Sequence, residues 1–104
     1  MHDKILDIKN ERSFKETKFI IDKHIDKLKA ANKEQWTRDW GILTSWDSSQ
    51  NKLIIKSKAF KVDGYFELKK GKMIGFVNVP FYLLPFKNAY ANMLRKLVKD
   101  ALNA

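Results

Sequence analysis

Phe60-Lys61-Val62-Asp63-Gly64-Tyr65-Phe66-Glu67-Leu68 is followed at once by Lys69-Lys70-Gly71-Lys72 and then by Met73-Ile74-Gly75-Phe76-Val77-Asn78-Val79. In the first run Phe60, Val62, Gly64, Phe66 and Leu68 alternate with Lys61, Asp63, Tyr65, Glu67 and Lys69. A period of two with one apolar and one wet face predicts an antiparallel strand over 60–68. The middle run predicts a hairpin turn, with Gly71 free to take a positive φ. The third run returns as a strand with Met73, Gly75, Val77 and Val79 on one face. Its other face carries Ile74 and Phe76, so a cover over that second face is expected.

Working upstream, 52–58 reads as a strand with Leu53 and Ile55 on one side. Asp47-Ser48-Ser49-Gln50-Asn51 is a turn by composition. Residues 40–46 read as a further strand, in which Ile42, Thr44 and Trp46 alternate with Leu43 and Ser45. Residues 32–38 read as a connection. Ser13-Phe14-Lys15-Glu16 has the form of a capping box, which predicts a helix to about Ala31. Phe14, Thr17, Ile21, Ile25 and Leu28 make its apolar stripe. A short strand over 4–9 precedes it, with Leu6 and Ile8 on one side. Downstream, Pro80 and Pro85 bracket an apolar loop. Phe86, Ala89, Tyr90, Met93, Leu94, Leu97, Val98, Ala101 and Leu102 then keep the helical rhythm to the end of a long C-terminal helix.

The order is β-α-β-β-β-β-α within a single domain spanning 1–104. The fold class is α+β: a curved antiparallel sheet of four to five strands, with both helices packed on one face. Hydrophobic residues at 44% of the chain exclude wholesale disorder. The chain lacks cysteine, which excludes disulfides, thiolate metal sites and a cysteine nucleophile. No apolar run approaches the roughly 20 residues of a transmembrane span, and no apolar signal core follows Met1. A cytoplasmic location is therefore expected. The formal charge of +9 is uneven. Residues 1–50 hold ten Lys/Arg against nine Asp/Glu, and residues 51–104 hold eleven against three, so +8 lies in the second half. Such a field attracts anionic lipid or other polyanions.

The stretch from Trp46 onward resembles the putative polyhydroxyalkanoic acid system proteins, a family of small bacterial proteins. The residues that carry the likeness are Trp46, Leu53-Ile54-Ile55, the run from Val62 to Leu68, and Val77-Asn78-Val79-Pro80-Phe81-Tyr82-Leu83-Leu84-Pro85-Phe86-Lys87 with its closing helix. The N-terminal strand and helix match in order. The resemblance implies association with polyhydroxyalkanoate storage granules, a helix-grip-like fold and no catalytic residues to carry over.

The candidate site is the uncharged run 79–86. Its two prolines pre-set φ and remove two backbone donors. Phe81, Tyr82, Leu83 and Leu84 are the expected surface or ligand contacts, and Phe86 is expected to begin the buried helical stripe. Lys70, Lys72, Lys87, Arg95, Lys96 and Lys99 form the expected basic surface, with Lys70, Lys72 and Lys87 taken to lie near the apolar run. Trp36 is the tryptophan expected to be most exposed. His24 has only His2 as a fellow histidine, the serines lack a neighbouring base, and the four glycines form no phosphate loop. These features point away from an enzyme, a cofactor or a metal.

Three functions follow as expectations. The first is a non-catalytic accessory protein at the polyhydroxyalkanoate granule surface or among granule proteins, held through the apolar loop and the basic surface. The second is a carrier of a hydrophobic acyl ligand between sheet and C-terminal helix, in a cavity lined by Phe60, Phe66, Phe76 and Met93. The third is a nonspecific polyanion-binding protein. A homodimer through the apolar run would use the same residues.

Overall fold

The computed structural model describes residues 3–103. Five strands, β1 (Asp3–Lys9), β2 (Ile42–Asp47), β3 (Lys52–Ser57), β4 (Val62–Lys69) and β5 (Lys72–Asn78), form one sheet in the order β1-β5-β4-β3-β2. Every neighbouring pair is antiparallel. The helices are α1 (Phe14–Ala31) and α2 (Lys87–Asn103). The architecture is thus α+β with the order β-α-β-β-β-β-α.

The period of two decides what each strand buries. Leu53 and Ile55 of β3, Val62 and Phe66 of β4, and Met73 and Val77 of β5 point to the core. Ile21 and Ile25 of α1 join Leu94, Leu97 and Val98 of α2 in the same cluster. Each fully buried side chain of this size stabilises the fold by about 1.5–3 kcal/mol. Gly64 and Gly75 let this layer close. A Cβ on Gly64 would lie 2.9 Å from the Phe76 carbonyl oxygen and 3.1 Å from Leu94 Cδ1, so α2 rests directly on β4 there. A Cβ on Gly75 would meet the ring of Phe66, its cross-strand partner, at 2.6 Å.

The N-terminus of α1 is capped as the sequence predicts: the Ser13 hydroxyl accepts from the Glu16 N–H at 3.1 Å. The second face of β5, for which a cover is expected, stays half-buried, with Ile74 and Phe76 shielded, among the described residues, only by in-sheet neighbours. Phe76 stacks on Tyr65 with centroids 5.0 Å apart, and Lys52 Nζ lies 4.6 Å from the Tyr65 ring centre.

Four expectations need correction. The strand expected over 60–68 begins at Val62, because Lys61 takes φ 53° and ends the alternation. Phe60 therefore sits in a turn and is exposed. The strand expected over 40–46 runs Ile42–Asp47, since Gly41 takes φ 57°. Trp36 is only 5% exposed. A π-helical turn, Gln35–Asp39, within the expected connection swings its ring inward. Phe86 does not begin the buried stripe of α2. It ends a 3-10 turn, Phe81–Phe86, and is 64% exposed.

Candidate functional site

An antiparallel sheet has two ends. The end that gathers the start of β1, the β3–β4 turn at 58–61 and the exit of β5 also receives the first turns of α2. The exit of β5 runs through Val79 and Pro80 into the 3-10 turn. Pro80 is extended, with φ −56° and ψ 150°, and its carbonyl accepts from the Leu83 N–H at 2.9 Å. Proline at 80 and 85 thus braces a tight turn whose side chains have little core to enter. Phe81 is 83% exposed, Tyr82 58% and Leu84 52%. Leu83 alone of the four predicted contacts turns inward and is half-buried.

Leu83 turns into a cleft of about 310 Å³. Its walls are Phe60, Val62, Val79, Leu83 and Phe86, closed by Ala89, Tyr90 and Met93 of α2. The Tyr90 hydroxyl is the only polar side-chain atom in that set. It is buried and has no hydrogen-bond partner among the described residues. Burial, and after it the charge of Asp63, holds the phenol well above its ordinary pKa. The phenol is thus neutral, and the walls around it are apolar.

The cavity expected from the sequence is half realised. Phe60 and Met93 line it. Phe66 is packed in the core and Phe76 lies on the opposite face of the sheet, so neither contributes.

The expected basic surface does not assemble around the apolar run. Lys70 and Lys72 sit at the β4–β5 turn, and β5 spans seven residues from there to its exit. At about 3.3 Å per residue this places them roughly 20 Å from the cleft end of the sheet. Lys87 does adjoin the 3-10 turn, but it is ion-paired with Asp3, which holds that carboxyl below its usual pKa. The Arg95 guanidinium donates to the Ile5 carbonyl and, at 2.6 Å, to Asn92 Oδ1. Lys96 pairs with Asp100 at 2.8 Å. Lys99 is exposed toward the C-terminal end of α2, away from the cleft.

Lys58 and Lys61 of the β3–β4 turn lie at that end of the sheet, and Lys56 of β3 projects there from the face turned away from the helices. The alternation of 60–68 hides the turn and so the place of Lys61. Topology alone finds them: β3 must end where β5 ends if both are antiparallel to β4.

The remaining candidates fall into structural roles. The Trp46 indole donates to Asp22 Oδ1 at 2.7 Å and meets Phe14 edge-on at 5.6 Å. His24 is half-buried on α1. Among the described residues no group of three or more histidine or carboxylate side chains is placed to hold a metal ion. No helix in that range is long and apolar enough to cross a membrane. Comparison with family models, with curated proteins and with solved structures gives no match to this chain.

Proposed function

We propose that this chain is a non-catalytic binding protein that settles on the apolar surface of a polyhydroxyalkanoate granule through the 3-10 turn and the rim of the cleft. The observation that supports this reading is the exposure of Phe81, Tyr82, Leu84 and Phe86 within one six-residue turn beside an apolar cleft. A proline-braced turn gains nothing for its own geometry from four large apolar side chains in water, and clustered exposure of this kind marks a contact surface. The resemblance of 77–87 to the granule-linked family supplies the expected client.

The test is co-sedimentation of the purified protein with polyhydroxyalkanoate granules across a salt series. An apolar contact persists at high salt, whereas a charge-driven one is screened. Phe81→Ser with Leu84→Ser should abolish sedimentation while the circular dichroism spectrum stays unchanged, because neither side chain is core. Retained sedimentation by that variant would sink the assignment of the site. A second reading, a carrier of a hydrophobic acyl ligand, is favoured by the cleft itself, whose walls are apolar but for the Tyr90 hydroxyl.

A further inference from the structure

The 3-10 turn and the cleft make a projection and a recess on one patch. Leu83 and Phe86 of the turn line the cleft, while Phe81, Tyr82 and Leu84 of the same turn stand out into water. Phe60, a further wall residue, is about half exposed. A fully exposed side chain of this size offers about 200 Å² of surface, so Phe60, Phe81, Tyr82, Leu84 and Phe86 together leave roughly 600 Å² in water. That reaches the top of the roughly 300–600 Å² expected for the largest apolar patch of a monomer. It is also most of the roughly 800 Å² that one partner buries in a standard protein–protein interface. No charged residue occurs from 79 to 86, and Lys87 beyond it is ion-paired with Asp3. Lys61 follows Phe60 in the β3–β4 turn, so charge begins at the edge of the patch, as at the polar rim of an interface.

Both parts are ordered in the single chain. The Leu83 N–H to Pro80 carbonyl bond closes the turn, and proline fixes φ at 80 and 85. The Phe81 and Tyr82 rings meet edge-on with centroids 6.1 Å apart, so the projecting pair surrenders little freedom on contact. On the α2 side the recess is walled by Ala89, Tyr90 and Met93, and the small, exposed Ala89 keeps it open. Its volume of about 310 Å³ exceeds the roughly 150 Å³ in which an apolar cavity accepts a benzene ring. A two-fold axis turns one patch to face itself, and a projection beside a recess is a surface that fits its own copy.

We infer that two copies of this chain associate about a two-fold axis at this end of the sheet, the Phe81 ring of each seated in the cleft of the other. Area, shape and neutrality together select a second copy as the occupant. The patch approaches the size of one side of a dimer interface, it holds both halves of the contact, and 79–86 offers no charge for a charged partner to meet. The inference rests on the reading of the turn as a contact surface and adds regulation to it. The dimer covers the residues that a granule surface would take, so the second copy and the granule compete for them.

The test is sedimentation equilibrium of the full chain from about 1 to 200 µM, a range that brackets a micromolar dimer. The unmodified protein should pass from monomer to dimer across it. Phe81→Ser with Leu84→Ser removes the projection and should weaken the dimer at least about tenfold. Ala89→Phe fills the recess from within the same chain, at an exposed position, and should weaken the dimer by about tenfold although it adds apolar surface. An unchanged or tighter dimer in that variant would mean apolar clustering without insertion and would overturn the inference. Leu43→Ser removes an exposed apolar side chain from the sheet face turned away from the helices and should leave the dimer within about twofold. A loss there equal to that of the other variants would also overturn it. Raising the salt should tighten the dimer, because it screens the +9 that each copy carries. Loosening with salt would assign the contact to charge and overturn the inference. A chain that stays monomeric throughout yet sediments with granules would overturn the inference and leave the granule reading intact. A dimer that responds to the variants as stated, with no granule sedimentation, would uphold the inference and remove the granule reading alone.

Discussion

The two ends of the sheet are finished in opposite ways. At the end where β1 leaves and β5 begins, polar groups seal the barrel of contacts between sheet and helices. Asn10 is buried, its side chain donates to Thr17 Oγ1 at 3.1 Å, and its backbone N–H donates to the Gly71 carbonyl at 2.9 Å. Arg12 reaches over the same asparagine at 3.3 Å and on to the Leu102 carbonyl at 2.8 Å. At the other end the polar ties lie in the β3–β4 turn, where the buried Ser57 hydroxyl bonds the Trp40 carbonyl and the Phe60 N–H, and in the Asp3–Lys87 ion pair. Beside them apolar side chains stand in water, and the buried Tyr90 hydroxyl has no partner among the described residues. One end is spent on holding α1, α2 and the β4–β5 turn together. The other is left available, and that asymmetry is what points to a binding surface.

The comparison breaks most readily at the sealed end. Asn10→Ala should destabilise the fold by about 2–3 kcal/mol, because it strands the buried Thr17 hydroxyl and frees Arg12 at once. Chemical denaturation measures this, and a loss under about 0.5 kcal/mol would mean the network does not seal that end. Tyr90→Phe should do the reverse. Removing a buried hydroxyl that makes no hydrogen bond relieves a desolvation cost, so the variant should gain about 1 kcal/mol. A loss of stability would show that the phenol has a partner in solution. Phe81→Ser with Leu84→Ser should stay within about 0.5 kcal/mol of the parent although it removes two large side chains.

The smallest effect is electrostatic. Asp3 and Lys87 tie β1 to the start of α2 at the open end, and the Asp3 pKa is lowered by its hydrogen bond and charge contact with Lys87. A lowered carboxylate pKa contributes stability above the unfolded-state value, and this is lost as pH falls through the folded-state value. Asp3→Asn should therefore lower the melting temperature slightly at neutral pH and leave it unchanged in strong acid. An equal shift at both pH values would assign the effect to packing.

Much of this was legible in the residues. The alternation of β4 and β5, the Gly71 hairpin and the Ser13 cap are local signals, each backed by a single physical requirement, and each is realised. The misreadings cluster where two periods meet. Phe60 and Lys61 continue a strand pattern through a turn, since a left-handed lysine carries no mark in the sequence that a glycine would. Phe86 matches the spacing of α2, but the preceding 3-10 turn advances about 120° per residue rather than 100°, so its side chains fall out of the helical stripe. Trp36 lies in a π turn, where an extra residue per turn rotates the ring inward. Phe81, Tyr82 and Leu84 are exposed, and their exposure is legible because two prolines and the absence of charge leave few other arrangements. Their lysine neighbours required the strand pairing, which no single segment contains.

The three tryptophans have an optical consequence. None lines the cleft. Trp36 is a buried indole with no hydrogen-bond partner among the described residues, and Trp46 is hydrogen-bonded to Asp22, so both emit from the α1–β2 side of the molecule. Trp40 differs, because its carbonyl holds Ser57 and, at 3.4 Å, the Ala59 N–H of the lysine-bearing turn. Emission from this chain therefore follows unfolding through two of its fluorophores and motion of the turn through the third. A guest that fills the cleft without moving the turn leaves the spectrum still, so fluorescence and calorimetry on one sample separate occupancy from rearrangement.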